Sequence, residues 1–361
     1  MKSKPTTALT HEITEMCGAV HIHTNFSDGG IDINELIRIA GAVGLDFILV
    51  SDHMTLQGKD EGYEGFHNDL LVIIGYEHND STNKNHYLAF GTDTVVSEQD
   101  KPQVYINEIK KAGGIGFLAH PAEERHYFRK YPSYQWTAWD VTGFDGIEIW
   151  NQMSEWAEHL RSWLSFIYIF YPRRFIHNAP QSLLKKWDRL NRTRFVSGIG
   201  GVDAHVFTLG KGLFSYKIFP MKVELKGIRT HVYVPAAEAC NDYERDRDIF
   251  LTALKNGHGF ISNFRRGDAR GTKIYLATAD GKIIVPGCLK RKPCFPETLF
   301  VAVPDKANIR LIKNGSMVQR VHGCHAEFVI TEPGLYRIEV YKGKNAWIYS
   351  NPFPVGGYPL Y

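Results

Sequence analysis

Histidines and acids recur where short apolar segments of this chain end, and both residue types bind metal ions. The segment GAVHIHT contains His21 and His23, whose side chains point to one face because strand side chains alternate with a period of two. The segment GIGGVDAH contains a similar pair, Asp203 and His205. Burying two imidazoles together costs free energy unless a metal ion or an anion links them. These pairs therefore predict a metal site.

Further candidates share this placement at a segment end or in the adjacent loop: Asp28, Asp52, His53, Glu77, His86 and His120. Any one of these histidines alone is explained as well by a structural hydrogen bond as by a metal. The whole set contains imidazoles and carboxylates but no thiolate, which suits Zn, Mn or Fe in a catalytic site. Because carboxylates can bridge cations, the set predicts a multinuclear centre.

The segments that carry these residues alternate with helical patterns over residues 17–235, which is typical of βα units in an α/β protein. Helices are predicted over residues 32–43, 102–112 and 243–256, and a longer aromatic-rich helical insertion over 155–195. In a parallel α/β barrel the active site forms at the C-terminal ends of the strands. The candidate ligands should converge there.

The sequence changes character after Ser262, where apolar segments are joined by Asp-Gly, Asn-Gly, Pro-Gly and Lys-Gly turns. No helical periodicity is visible beyond this point. We therefore predict a flexible N-terminus at 1–14, a barrel at 15–262 and an all-β, sandwich-like domain at 268–361.

Composition sets weak limits on partners and location. The chain has 361 residues, 43% of them hydrophobic, and a net charge of +3, which neither indicates nor excludes a nucleic-acid partner. Its five cysteines form no C-x-x-C pair, so we expect reduced thiols. The first residues lack the apolar core of a signal peptide, and the most apolar stretch, WLSFIYIFYP, is about half a membrane span. We expect a cytoplasmic protein without a membrane partner and with a small-molecule, phosphorylated substrate; the sequence does not indicate the oligomeric state.

Residues 20–205 resemble the PHP (polymerase and histidinol phosphatase) family in the order and spacing of its metal-site motifs. The matching segments are HIHTNFSDG, VSDH, GYE, HYLAFG, GGIGFLAHP and GVDAH. The resemblance implies a distorted (β/α)7 barrel, similar to a TIM barrel, with three metals at the strand C-termini. It implies these ligand sets: His21, His23, Glu77 and Asp203 for the first metal; Glu77, His86 and His120 for the second; Asp28, His53 and His205 for the third.

Two features point to particular branches of that family. Asp28 stands where many relatives have histidine, as in a branch that includes small nucleotide phosphoesterases. The segments ALKNGHGFISN and WIYSNPF resemble the branch that contains carbaryl hydrolases. The first resemblance favours a phosphorylated substrate, and the second leaves the substrate open.

The predicted function is hydrolysis of a small phosphate ester or nucleotide by two to three divalent metals. Catalytic roles are assigned to Glu77 and Asp203 as metal ligands and to Asp52, which either orients His53 or only caps a strand end. Candidate substrate-binding residues are Arg125, Arg129 and Arg265, although the first two also fit a solvated basic loop.

Two other functions fit the same sequence. One is hydrolysis of a carboxylic ester, carbamate or amide by the same metals. The other is a non-catalytic accessory module, which the complete ligand set disfavours. The aromatic residues from Trp156 to Tyr171 either wall the pocket or, as helical spacing favours, pack as a flap against the barrel rim.

Overall fold

The computed structural model describes residues 13–97, 101–126, 132–209, 216–236, 242–287, 293 and 295–356. The chain forms two compact units. One, called here the α/β unit, comprises Gly18–Leu183 and Ile199–Arg229; the other, the β-rich unit, comprises Met1–Cys17, Leu184–Gly198 and Thr230–Tyr361. The domain boundaries predicted above stay a prediction.

The strands are β1 (Ile13–Ile22), β2 (Phe47–His53), β3 (Gly65–His67), β4 (Leu70–His78), β5 (Tyr87–Phe90), β6 (Ile115–Leu118), β7 (Gly146–Asn151), β8 (Ser197–Gly201), β9 (Phe207–Leu209), β10 (Tyr216–Ile218), β11 (Ile228–Pro235), β12 (Gly259–Asn263), β13 (Lys273–Ala277), β14 (Ile283–Ile284), β15 (Glu297–Lys313), β16 (Ser316–Ile330), β17 (Gly334–Lys342), β18 (Asn345–Ser350) and β19 (Phe353–Val355). The α-helices are α1 (Ile33–Ala42), α2 (Gln57–Asp60), α3 (Pro102–Lys111), α4 (Gln152–Glu158), α5 (Gln181–Leu190), α6 (Met221–Glu224) and α7 (Tyr243–Lys255). The 3-10 helices span Trp163–Phe170, Pro172–Phe175 and Phe264–Arg266.

The three predicted helices outside the insertion are confirmed as α1, α3 and α7, with ends within two residues of the prediction. The Asp32 carboxylate accepts hydrogen bonds from the backbone N–H groups of Asn34 and Glu35, so it caps α1 as expected. The buried face of α1 carries Ile33 and Leu36. Local capping and apolar spacing therefore determine where this helix begins and which side it buries.

The sheet of the α/β unit is mixed rather than purely parallel. Strands β1, β2 and β4 pair in parallel, as do β6 and β7, whereas β5 pairs antiparallel with both β4 and β6. The expectation of parallel βα units is wrong for β5. The connection from β4 to β5 is too short for the crossover that a parallel pair needs. Closure of the strands into a (β/α)7 barrel stays a prediction.

This pairing determines where the candidate ligands lie. In the parallel register His53, the last residue of β2, is opposite Glu77 near the end of β4. Because β5 runs antiparallel to β4, His86 directly before β5 lies at the same sheet edge. Beyond β1, the backbone N–H of His23 donates to the carbonyl of Ala204, which brings the segment after β8 to this edge.

The aromatic insertion is not one long helix. It consists of α4, two 3-10 helices and α5, and a proline begins the second 3-10 helix. The predicted packing holds for Trp156 and Tyr168, which belong to one apolar cluster, but is wrong for Trp163 and Phe170, which are 70% and 58% exposed. Among the described residues, no helix is long and apolar enough to span a membrane.

The C-terminal strands of the β-rich unit pair antiparallel around an apolar core. The long strand β15 pairs with β16 along both halves, but with β13 through its first half and with β17 through its second. The change follows an irregularity between Ala302 and Ala307. Buried side chains such as Ile309, Phe328 and Trp347 form the core. This all-β pairing agrees with the expected pattern, and the sandwich arrangement stays a prediction.

One buried charge network ties α5 to these strands. The Arg337 guanidinium donates to both carboxylate oxygens of Asp188, at 2.7 and 2.9 Å, and also to Glu339. All three side chains are at most 8% exposed. Removing the Arg337 guanidinium would leave the two buried carboxylates without a positive charge to balance them.

We predict that Arg337→Met lowers the free energy of unfolding by about 3–5 kcal/mol, because it leaves the buried carboxylates of Asp188 and Glu339 without a compensating positive charge. Urea denaturation followed by circular dichroism measures the change. Arg247→Met is the control, since Arg247 pairs with Glu244 and Asp248, which are about 70% exposed; its loss should stay below about 1 kcal/mol. A similar loss in both variants would contradict the role of the buried network.

Candidate metal centre

A cavity of about 720 Å³ in the α/β unit contains the predicted ligands. Seven of the nine line it, and the other two, His21 and His23, lie behind them with no exposed surface. Four overlapping groups have ligand atoms within 4.8 Å of one another: His23, Asp28, His53 and His205; His21, Glu77 and His120; His21, His23 and Asp203; His53, Glu77 and His86. The structure therefore brings all nine predicted ligands together. Their role as ligands stays a prediction.

Glu77 occupies the middle of the cluster. Its Oε2 lies 3.1 Å from His21 Nε2 and 3.2 Å from His23 Nε2, whereas its Oε1 lies 2.8 Å from His86 Nδ1 and 3.1 Å from His120 Nε2. Each carboxylate oxygen thus faces a separate pair of imidazoles. A carboxylate that bridges two cations needs this arrangement.

Three of the candidate ligands have strained backbone conformations. His21, His120 and Asp203 have φ angles of 66°, 28° and 53°, in the left-handed region that residues with a Cβ avoid. Each such residue costs of the order of 1–3 kcal/mol and persists where its surroundings hold it. Hydrogen bonds hold two of them here: the backbone N–H of Ala204 donates to the carbonyl of His21, and His120 N–H donates to Glu148. Strain at these residues favours a functional role over a purely structural one.

Asp28 forms the open end of the cluster, with 58% of its side chain exposed. Its Oδ1 lies 3.2 Å from His205 Nε2, and its Oδ2 lies 3.8 Å from His53 Nε2. The loop that carries Asp28 turns tightly, because a Cβ at Gly29 would lie 2.3 Å from the carbonyl oxygen of His23. The SDGG sequence is therefore needed to place this carboxylate beside the imidazoles.

Asp52 anchors that loop. Its carboxylate accepts hydrogen bonds from the backbone N–H and hydroxyl of Thr24, both at 2.7 Å, and from the Ser27 hydroxyl at 2.6 Å. These contacts hold the chain between β1 and Asp28. The catalytic role assigned to Asp52 stays a prediction, and the contacts indicate that it would act by positioning Asp28.

The sequence analysis missed Glu148, a buried carboxylate on β7. Its Oε1 lies 3.0 Å from His21 Nδ1, and its Oε2 accepts from the backbone N–H of His120 and from the Asn151 side chain. Gly201 leaves room for it, since a Cβ there would lie 1.6 Å from Glu148 Oε1. A carboxylate that accepts from the second ring nitrogen of a ligand histidine fixes its tautomer and orientation. The one feature of the sequence that could have indicated Glu148 is that it is a single acid inside the otherwise apolar segment GIEIW.

Charge compensation dominates the electrostatics of the cluster. Burial lowers the pKa of an imidazole, but the carboxylates of Asp203 and Glu77 outweigh burial at His23 and raise its pKa to about 9. Burial is likewise outweighed at His120, where Glu77 raises the pKa to about 9. For Glu77, burial is opposed by His21, His86 and His53, which hold its pKa well below its usual range. In the metal-free protein His23 and His120 are thus counterions of the acids, and metal binding there must displace protons. At His53, by contrast, burial outweighs the neighbouring carboxylates and lowers the pKa to about 4.

The residues present fit a bound metal. The Nδ1 atoms of His23, His53 and His120 are buried without a hydrogen-bond partner. An unsatisfied buried polar group costs about 1–3 kcal/mol, and a cation coordinated by these lone pairs removes that cost. Imidazole nitrogens and carboxylate oxygens are ligands that Zn, Mn and Fe accept.

The predicted substrate-binding arginines differ in their placement. Arg125 lines the cavity, donates to Glu123 from Nε and Nη2, and lies 4.7 Å above the Tyr134 ring, which stacks on His86. Arg129 lies outside the described residues. Arg265 belongs to the β-rich unit, in the 3-10 helix Phe264–Arg266. Their roles in substrate binding stay predictions.

We predict that the purified protein contains about two to three transition-metal equivalents per chain. Glu77→Ala should lower this to below about one equivalent, whereas His53→Ala should lose about one, because Glu77 serves two cations and His53 one. Elemental analysis measures metal content, and circular dichroism verifies folding. Equal losses of metal in the two folded variants, or a wild type that takes up neither Mn nor Zn, would contradict the assigned ligand sets.

We also predict that Glu148→Gln weakens metal binding about 10–100-fold, because it removes the anionic partner of His21. Competition with a chromophoric chelator measures the affinity. Glu155→Gln is the matched control: Glu155 is also a buried glutamate of the α/β unit, but it accepts from Trp150 Nε1 and the backbone N–H groups of His177 and Asn178. An equal effect of both substitutions on metal affinity would show that Glu148 acts only through folding.

No family model and no curated protein sequence matches this chain. Among solved structures it is similar to a two-domain protein from Bacteroides vulgatus with a predicted PHP-like metal-dependent phosphoesterase, at 16% identity and a TM-score of 0.47, covering 94% of this chain and 96% of that one. It is also similar to a candidate metal-dependent phosphoesterase from Bifidobacterium adolescentis, at 16% identity, a TM-score of 0.34 and coverage of 57% and 93%. A third is an amidohydrolase from Chromobacterium violaceum with bound sulfate and no metal, at 14% identity, a TM-score of 0.34 and coverage of 52% and 87%.

These likenesses are distant, and the chemistry of the site rests on its own side chains. The resemblance to the carbaryl-hydrolase branch stays a prediction. Two of the structures to which this chain is similar are named as PHP-like or metal-dependent phosphoesterases.

Proposed function

We propose that this protein is a metal-dependent phosphoesterase that hydrolyses a small phosphate ester at a trinuclear centre. The observation that carries the proposal is the position of Glu77, whose two oxygens each face two imidazoles within 3.2 Å. A further group, built on Asp28, His53 and His205, adjoins it at the cavity mouth.

Bound in these groups, the cations would lower the pKa of a bound water and neutralise charge on the phosphoryl oxygens. The protein's own residues set that chemistry. Glu77 would place negative charge between two cations, and Glu148 would hold the His21 ring in one tautomer. Asp28, on the loop anchored by Asp52, would be a ligand at the exposed end of the centre, where the cavity opens.

A phosphoryl group suits such a centre better than a carbonyl does. Its several anionic oxygens can each face a cation, whereas an ester or carbamate offers one carbonyl oxygen and needs one or two metals. We propose Mn, Zn or Fe in place of Mg, because Mg prefers octahedral oxygen ligands and fits an imidazole-rich site poorly.

One observation favours the alternative, hydrolysis of a carboxylic ester, carbamate or amide. Among the described residues that line the cavity, Arg125 is the one guanidinium, and it already donates to Glu123. Phosphate recognition would then depend mainly on the metals. A non-catalytic accessory module is the weakest alternative, because every position of the predicted ligand set is occupied.

We predict that the Mn-loaded enzyme hydrolyses p-nitrophenyl phosphate or mononucleotides, is inhibited competitively by inorganic phosphate, and is less active with Mg. Because all three effects depend on the metal centre, His21→Ala should lower turnover by at least about a hundredfold. The measurement is a parallel panel with p-nitrophenyl acetate and an aryl carbamate, run on wild type and His21→Ala. Turnover of the acetate or carbamate without turnover of any phosphate would reject the phosphoesterase and leave the metal centre in place.

A further inference from the structure

The cavity has two chemically different sides. Candidate metal ligands form one side, together with Arg125 and Tyr134. The other part of the lining is formed by apolar side chains of the α/β unit: Met153, Trp156, Leu160, Phe207, Ile218 and Phe219. We call these six residues the apolar wall.

The apolar wall begins directly beside the candidate metal ligands. The Phe207 ring stacks on the ring of His205, with centroids 5.9 Å apart and an angle of 5° between the planes. Phe219 follows at 6.1 Å from Phe207, and Trp156 follows at 4.7 Å from Phe219 in an edge-to-face contact. If the phosphoryl group of a substrate binds near His205, its ester group would therefore lie against the ring of Phe207.

Most of the wall is rigid in advance of binding. Trp156, Leu160, Ile218 and Phe219 are each at most 8% exposed and belong to one packed cluster. The Trp156 indole N–H donates to the carbonyl of Tyr168 at 3.2 Å, which fixes the ring. A preformed apolar surface gains affinity from a matching ligand without an ordering cost. Phe207 differs, because 45% of it is exposed, and a ligand that covers it removes apolar surface from water.

The polar side chains that line the cavity besides the candidate ligands lie near those ligands and not on the apolar wall. Asn79 follows Glu77 by two residues, and Asn83 Oδ1 lies 3.2 Å from His86 Nε2. The Tyr134 ring stacks on His86, and Arg125 lies over Tyr134 and donates to Glu123. Among the described lining residues, none on the apolar wall carries a side-chain oxygen, and its one N–H donor, that of Trp156, is bonded to Tyr168. A ligand rich in hydroxyls would lose hydrogen bonds to water against this wall.

We infer that the esterified group of the substrate is bulky and apolar, an aryl or branched alkyl group, and is not a sugar or nucleoside. The inference rests on the proposed phosphoesterase for the anionic end of the substrate. The apolar wall supplies specificity by covering the ester group while the metal side holds the phosphoryl group.

The test compares kcat/KM for 1-naphthyl phosphate, glycerol 3-phosphate and a mononucleotide, using the Mn-loaded full chain. We expect naphthyl phosphate to be preferred at least about tenfold over both polar esters, the size of discrimination that an apolar pocket achieves. Phe207→Ala should lower the ratio of naphthyl to glycerol kcat/KM by about tenfold, mainly through KM, and Phe207→Leu should restore most of the ratio.

Phe66→Ala is the matched control. Phe66 is also a partly exposed phenylalanine in a three-residue strand of the α/β unit, but it lies outside the cavity lining. The ratio should be unchanged in this variant. Metal content is measured in every variant, because Phe207 is close to His205. A wild type that hydrolyses all three phosphates at similar kcat/KM, or a ratio that Phe207→Ala leaves intact, would overturn the inference.

A binding measurement separates this inference from the proposed function. 1-Naphthyl phosphonate and methylphosphonate, which cannot be hydrolysed, are titrated by calorimetry into wild type and Phe207→Ala. If no phosphate ester is turned over but the naphthyl compound binds more tightly than the methyl compound, and Phe207→Ala removes the difference, the proposed reaction fails and the apolar specificity stands. Equal affinities in the wild type would overturn the apolar specificity whatever the reaction.

Discussion

The site depends on one interaction, the contact of the buried Glu77 carboxylate with five imidazoles. Glu77 is 1% exposed, and an ionised carboxylate in such a place is unstable without compensating charge. The imidazoles of His21, His23 and His120, whose pKa values are raised by neighbouring carboxylates including Glu77, supply part of this charge, and bound cations would supply it in their place. The same carboxylate therefore stabilises the metal-free fold and prepares the metal site.

The sheet provides the geometry that this compensation requires. Glu77 and His86 come from neighbouring strands that run in opposite directions, so a short connection returns the chain to the same edge. His53 arrives beside Glu77 through a parallel register instead. Where strand geometry alone does not suffice, the backbone takes strained conformations, as at His21 and Asp203. The contacts of the cluster offset that strain at these two residues.

How much could be predicted from the sequence follows from what each residue type signals. His21, His23, Asp203 and His205 stand out because paired polar side chains end apolar strands, and the structure places them together as expected. Glu148 gave a weaker signal, since a single acid within a strand has many explanations until its contact with His21 is seen. The antiparallel direction of β5 was missed because apolar pattern defines a strand but not its direction. Tertiary contacts decide such features, and sequence spacing does not encode them.

The aromatic insertion, which is divided into several short helices, contributes to the cavity in which the proposed reaction takes place. Spacing alone favoured a packed flap, yet the aromatic residues of the insertion separate into two groups, since Trp156 packs into the cavity wall and Trp163 stays exposed. An apolar wall next to a charged cluster lowers the local dielectric constant, and attraction between cations and an anionic substrate strengthens as the dielectric constant falls. A substrate whose apolar group displaces water from Phe207 would enhance this effect at the neighbouring His205. Substrate specificity and electrostatic stabilisation would thus share one cause, the exclusion of water from the apolar wall.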